Sequence, residues 1–207
     1  MRRPTSQAPM TWMRLGLAAL ATALVAAAGP PAEAHAPGVV LSAFGSATVD
    51  GVLGPGEWDA AARVDFTASL PGGGTVPATL FVMNDRTTLY IAVQLSQGIV
   101  ATDTAVSIAF DNAHRGQIVV GDDAIVVTPI AGAIGDAVVT AVQGGRATQT
   151  TPDTGAGGAN NGAAAYVTSG ATSVYEIAHP LASGDGTRDF ALAQGNTVGF
   201  ALSLLIA

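Results

Sequence analysis

From Val39 onward the apolar residues of this chain run in short bursts, parted by Gly, Asp, Asn and Pro. Bursts of that length, bounded by turn residues, predict β-strands. They fall at Val39–Phe44, Arg63–Ala68, Ala78–Met83, Thr88–Leu95, Thr104–Phe110, Ala124–Thr128, Ala137–Val142, Ala164–Thr168, Thr172–Ala178 and Thr197–Ile206. Asn84-Asp85-Arg86-Thr87 and Ser169-Gly170 read as hairpin turns, since Asn and Asp tolerate left-handed backbone and bond it locally. No segment sustains a 3.6-residue period. One helical turn is predicted at Pro55–Ala62, with Pro55 at its first position. The expected fold is all-β, an antiparallel two-sheet β-sandwich.

Two segments depart from this pattern. Leu15–Ala28 is an uncharged apolar run behind Arg2, Arg3 and Arg14, and Ala32-Glu33-Ala34 fits the A-x-A cleavage rule. Residues 1–34 therefore read as a signal peptide and 35–207 as the sandwich domain, exported to the extracellular space or periplasm. The run falls short of the ~20 residues that span a bilayer, so no membrane insertion is expected after cleavage. Gly144–Gly162 is rich in Gly, Thr and Asn with little to bury, and reads as a flexible surface loop.

Without residues 1–34, five arginines and no lysine face fourteen acidic residues, a net charge of −9. Such a surface repels nucleic acid and anionic lipid and tolerates neutral ligands and cations. Cysteine is absent, which excludes disulfides, thiolate metal sites and cysteine nucleophiles.

Four stretches carry a resemblance. They are Val49-Asp50-Gly51 with Glu57-Trp58 beyond it, the strand ending Leu89-Tyr90-Ile91-Ala92, Ala109-Phe110-Asp111-Asn112, and Val174–Leu181 followed by Val198-Gly199-Phe200-Ala201-Leu202. In this order they resemble the family-nine carbohydrate-binding modules and their DOMON-like relatives, over roughly residues 47–204. The resemblance implies a jelly-roll β-sandwich that binds sugar, often with structural calcium, or haem in one branch. That family sandwiches its sugar between two tryptophans, whereas here Trp58 stands alone and reads as a core plug. Tyr166, beside the Gly144–Gly162 loop, is the candidate ligand-binding aromatic. The haem branch uses methionine with lysine or histidine. Lysine is absent, leaving Met83 with His114 or His179.

The densest polar cluster is Asp111-Asn112 with Asp122-Asp123. Clustered Asp and Asn on loops supply the oxygens calcium takes, so Asp111, Asn112, Asp122 and Asp123 are the candidate metal ligands, against a plain reading as turn formers. If cleavage leaves His35 first, its amine and ring would chelate copper, completed by His114 or His179. No Gly-x-Ser-x-Gly elbow or His-Glu-x-x-His motif occurs, and no enzymatic activity is expected. The sequence thus points to a secreted, non-catalytic module binding a neutral glycan or cell-surface component. The alternatives are an adhesive domain for a protein partner, and a metal- or haem-binding DOMON-like module.

Overall fold

The computed structural model describes residues 39–69, 74–96, 104–128, 134–186 and 188–206. The leader read at residues 1–34, and His35 with it, lies outside them. Among the described residues no helix is long and apolar enough to cross a membrane.

The chain forms a β-sandwich of two sheets. Sheet A holds β1 (Ala43–Phe44), β2 (Ala62–Ser69), β3 (Thr75–Asn84), β4 (Thr88–Ser96), β9 (Ala163–Ser169) and β10 (Thr172–Pro180). Its order is β1-β3-β4-β10-β9, with β2 also paired to β3. Sheet B holds β5 (Thr104–Asp111), β6 (Asp123–Val127), β7 (Ile134–Gln143), β8 (Arg146–Pro152) and β11 (Gly199–Ile206), ordered β11-β5-β6-β7-β8. Every pairing but the short parallel β1–β3 contact is antiparallel.

Two-residue alternation sorts each strand between core and outside. Leu80 and Val82 of β3, Ile91 and Val93 of β4, and Tyr175 and Ile177 of β10 turn inward from sheet A. Val106, Ile108 and Phe110 of β5 and Ile125 and Val127 of β6 meet them from sheet B. The outer faces carry smaller clusters. One, on sheet A, joins Trp58, Met83 and Ala92; the other, on sheet B, joins Ala109, Ile118, Ala124 and Val139.

Four sequence expectations change. Arg146–Pro152, inside the expected loop, is strand β8, and Asp153–Ala156 follows as a 3₁₀ turn. Polar residues suffice for β8 because it is an edge strand paired along β7, with mostly exposed or half-exposed side chains. Pro55–Ala62 makes successive turns, closed by Glu57 N–H to Gly54 O and Ala61 N–H to Trp58 O, rather than a helix. The strand expected at Val39–Phe44 shrinks to two residues, since residues 39–42 pair with no strand. Trp58 is buried as expected, but on the outer face of sheet A. Its indole N–H donates to Glu176 Oε1 at 2.9 Å, while the amides of Asp50 and Gly51 donate to Glu176 Oε2. One outward-facing carboxylate thereby ties the Asp50–Trp58 turn to β10.

Candidate metal centre and ligand groove

Three strands and two loops bring a set of charged groups together at one end of the core. Asp123 precedes Ile125 on β6 by two residues, so it shares the inward face. Asp136 on β7 pairs with Ile125 and faces the same way. His179 follows Tyr175 and Ile177 at the same parity on β10 and points in from sheet A. Asp189 comes from the connection between β10 and β11. One carboxylate oxygen from each Asp and one ring nitrogen of His179 lie within 4.8 Å of one another. Asp153, Asp185 and Asp189 make a second group of the same compactness, so Asp189 belongs to both. The described residues thus hold a buried acidic cluster that could bind a metal ion.

Backbone amides and the Asn161 side chain anchor these carboxylates through one atom each. Phe190 N–H donates to Asp123 Oδ2 at 3.3 Å and Asn161 N–H to Asp136 Oδ2 at 2.6 Å. Asn161 Nδ2 donates to Asp189 Oδ2 at 2.9 Å, and Ala159 N–H to Asp185 Oδ2 at 3.2 Å. His179 is fixed by Nδ1, 2.8 Å from Pro180 O, and by Phe190, whose ring stacks on it at 4.7 Å. The second oxygens of Asp123, Asp136 and Asp189, both oxygens of Asp153 and His179 Nε2 are buried without a hydrogen-bond partner. Buried polar groups are nearly always bonded, and an orphan calls for an explanation such as an ion or stored strain.

The segment expected to be a free loop is the wall of this cluster. A Cβ on Gly158 would stand 2.7 Å from Asp185 Oδ2 and 2.9 Å from Asp153 Oδ2. Only glycine lets the backbone lie against both carboxylates. Arg188 Nη2 donates to Ala156 O and clamps the 3₁₀ turn from outside.

Electrostatics agree. Burial, and then the charge of Asp136, pushes the Asp123 carboxyl up to about 8. Burial followed by Asp136 and Asp189 raises Asp153 to about 6. Asp136 is raised, chiefly by burial. Desolvated carboxylates that repel one another hold protons unless a cation replaces them.

Of the four ligands expected from sequence, only Asp123 enters the cluster. Asp111 accepts from the amides of Arg115 and Gly116, which closes the turn after β5. Asp122 accepts from Val119 N–H and lies 3.6 Å from Arg115 Nη1. Asn112 bridges Asp123 N–H and Arg188 O. These three shape the loops, as Asp and Asn do in turns. Asp136, Asp153, Asp185 and Asp189 were not among the expected ligands, and His179 was expected only as a partner for copper or haem. For Asp136 and His179 the signal was a lone polar residue at an inward position of an apolar strand, as Asp136 is before Ala137-Val138-Val139; Asp153, Asp185 and Asp189 lie outside the strands and carry no such signal.

Tyr166 is half-buried on β9. It stacks on Tyr175 at 4.7 Å, pairs its hydroxyl with Thr168 and packs on the core. Met83 faces outward from sheet A and His179 inward, so they cannot be a pair of axial haem ligands.

A groove of about 870 Å³ opens elsewhere, where the Asn84–Arg86 turn and the 192–200 segment meet residues 39–44. Phe44 and Phe200 line it and are 71% and 41% exposed. Asn84, Asp85, Arg86 and Asn196 add polar groups.

Comparison of the chain with models of known protein families gives no match. Comparison with curated protein sequences gives none either.

Proposed function

We propose that this protein is an exported, non-catalytic β-sandwich module that binds a neutral carbohydrate and carries calcium as a structural ion. The ligand reading rests on the groove with its two exposed phenylalanines. Exposed aromatics are costly on a surface without a partner, and an apolar floor beside a few polar groups is the usual make-up of a ligand site. The mature charge of −9 favours an uncharged ligand over an anionic one. The resemblance to family-nine carbohydrate-binding modules and DOMON-like domains points the same way. The non-catalytic reading has its own support. The carboxylates of Asp123, Asp136, Asp153 and Asp189 are 1–4% exposed, too enclosed to meet a polymeric substrate.

Calcium is assigned to Asp153, Asp185 and Asp189. This group offers oxygen alone, with both Asp153 oxygens unpartnered. Asp185 is only half-buried, so water can complete the six to eight oxygens that calcium takes.

A glycan array followed by calorimetry tests the ligand. Phe44→Ala and Phe200→Ala should each weaken the glycan found by about tenfold or more, as aromatic anchors do. Failure to bind any glycan, with capture of a surface protein through the same groove, would establish the adhesive reading instead. Intact-mass and N-terminal sequencing of exported material should begin at His35.

A further inference from the structure

The two groups that share Asp189 differ in donor chemistry. Asp153, Asp185 and Asp189 supply oxygen only. The other group adds an imidazole nitrogen, and all four of its residues are buried. A sealed site with four protein donors, one of them nitrogen, falls short of calcium's oxygen shell. It matches zinc, which takes four donors tetrahedrally and accepts His nitrogen beside Asp oxygen.

The histidine carries the argument. A carbonyl oxygen only accepts, so the contact with Pro180 O puts the proton of a neutral ring on Nδ1. Nε2 is then a bare lone pair. It points at Asp136 Oδ2, 3.9 Å away, and Asp189 Oδ2, 3.7 Å away, beyond hydrogen-bond reach. It has no hydrogen-bond partner, and His179 is 1% exposed. A lone pair facing two carboxylates is repelled by them unless a metal ion or a second proton lies between. A ring whose other nitrogen donates to a backbone carbonyl is the usual setting of a metal-ligating histidine. Charge leads to the same place. Asp123, Asp136, Asp153, Asp185 and Asp189 bring five carboxylates into one cluster. A single dication leaves most of that charge uncompensated, and a second nearly cancels it.

We propose that Asp123, Asp136, His179 and Asp189 form a closed, four-coordinate site for a first-row transition dication, zinc by geometry, and that Asp189 bridges it to the calcium group. Only the bridging half rests on the calcium assignment above.

The test uses the metal-stripped full chain, titrated with zinc alone, calcium alone, both, and cobalt as a spectroscopic stand-in for zinc. One equivalent of zinc should bind without calcium, and cobalt should give the intense visible absorption of tetrahedral coordination. His179→Gln should lower zinc affinity by more than about tenfold and abolish the cobalt signal while calcium still binds. Asp185→Asn should do the reverse. A weak six-coordinate cobalt spectrum, or ready displacement of zinc by millimolar calcium, would overturn the proposal. So would a folded His179→Gln variant that binds zinc as the parent does. Should that variant fail to fold, the cobalt spectrum of the parent decides the matter. Loss of calcium binding alone, with zinc and cobalt unchanged, would remove the calcium assignment and leave the zinc site standing.

Discussion

At the scale of single residues, polar groups buried on opposite faces of one strand do different work. Glu176 faces outward from β10 and is fully bonded by Trp58, Asp50 and Gly51. His179, three residues on, faces inward with one nitrogen unbonded. The first is a structural tie, and its indole partner fills the outer cluster. Trp58→Ala should destabilise the fold by about 3–5 kcal/mol, measured by chemical denaturation. Gly51→Ala should also destabilise it, because φ is +85° and the added Cβ would stand 2.7 Å from Val167. The inward group predicts a pH dependence for the metal-free protein. Asp123 and Asp153 have folded pKa values of about 8 and about 6, above the ordinary 3.8. The folded state then binds more protons than the unfolded one, so stability is fullest below pH ~4 and is lost as pH rises through these values. Asp136, which burial also raises, shares this space with Asp185, Asp189 and His179. Thermal melts in chelator should therefore fall between pH 5 and 8. With metal bound the fall should disappear, since the ion takes the place of the protons.

Among the elements, the β8 edge and the stretch from Asp153 to Gly162 would depend most on an ion bound at the cluster. Asn161 and Ala159 donate backbone amides to Asp136 and Asp185, and Gly158 lies against two carboxylates. Little apolar surface holds this stretch otherwise, since Thr154, Gly155, Gly157, Ala159 and Asn160 are exposed. Low local burial makes for low local stability. Limited proteolysis should cut within residues 153–162 in chelator and spare them with metal. Equal cutting in both conditions would show that the segment is held without an ion. This element was read from sequence as a free loop because Gly, Thr and Asn give no hydrophobic period. Its order comes from partners distant in sequence, which composition does not record.

Across the whole molecule, the groove and the acidic cluster draw on different segments. Residues 39–44, 84–86 and 192–200 frame the groove, whereas Asp123, Asp136, Asp153, His179, Asp185 and Asp189 make the cluster. Changes at sites that share no partner are additive. Phe44→Ala should therefore leave the calcium response intact. At a hundredfold excess over Kd, calcium should add about 2.7 kcal/mol. For a domain of this size that is several degrees in Tm, at ~2–4 °C per kcal/mol. Magnesium should raise Tm less, because it demands stricter octahedral geometry. A Tm unmoved by calcium in both proteins would remove the structural ion.

The strand pattern was legible in the chain because side-chain alternation and turn chemistry are local. Thr88–Leu95, Thr104–Phe110 and Thr172–Ala178 stand within one or two residues of β4, β5 and β10, and the two-sheet sandwich follows from burying their apolar faces. Local chemistry also showed that Asp111 and Asp122 could close turns. It could not show which acids meet. Asp123, Asp136, Asp153, Asp189 and His179 come from separate strands and loops, and only strand register together with the course of two loops brings them together. The tertiary structure likewise chose the face for Trp58, which has no register of its own. It turned Tyr166 into a packing residue by setting Tyr175 beneath it. Periodicity tells which side of a strand is apolar, while the pairing of strands decides what lies across from each charge. In a chain that buries so many carboxylates, that pairing is what makes a cluster that could hold a cation.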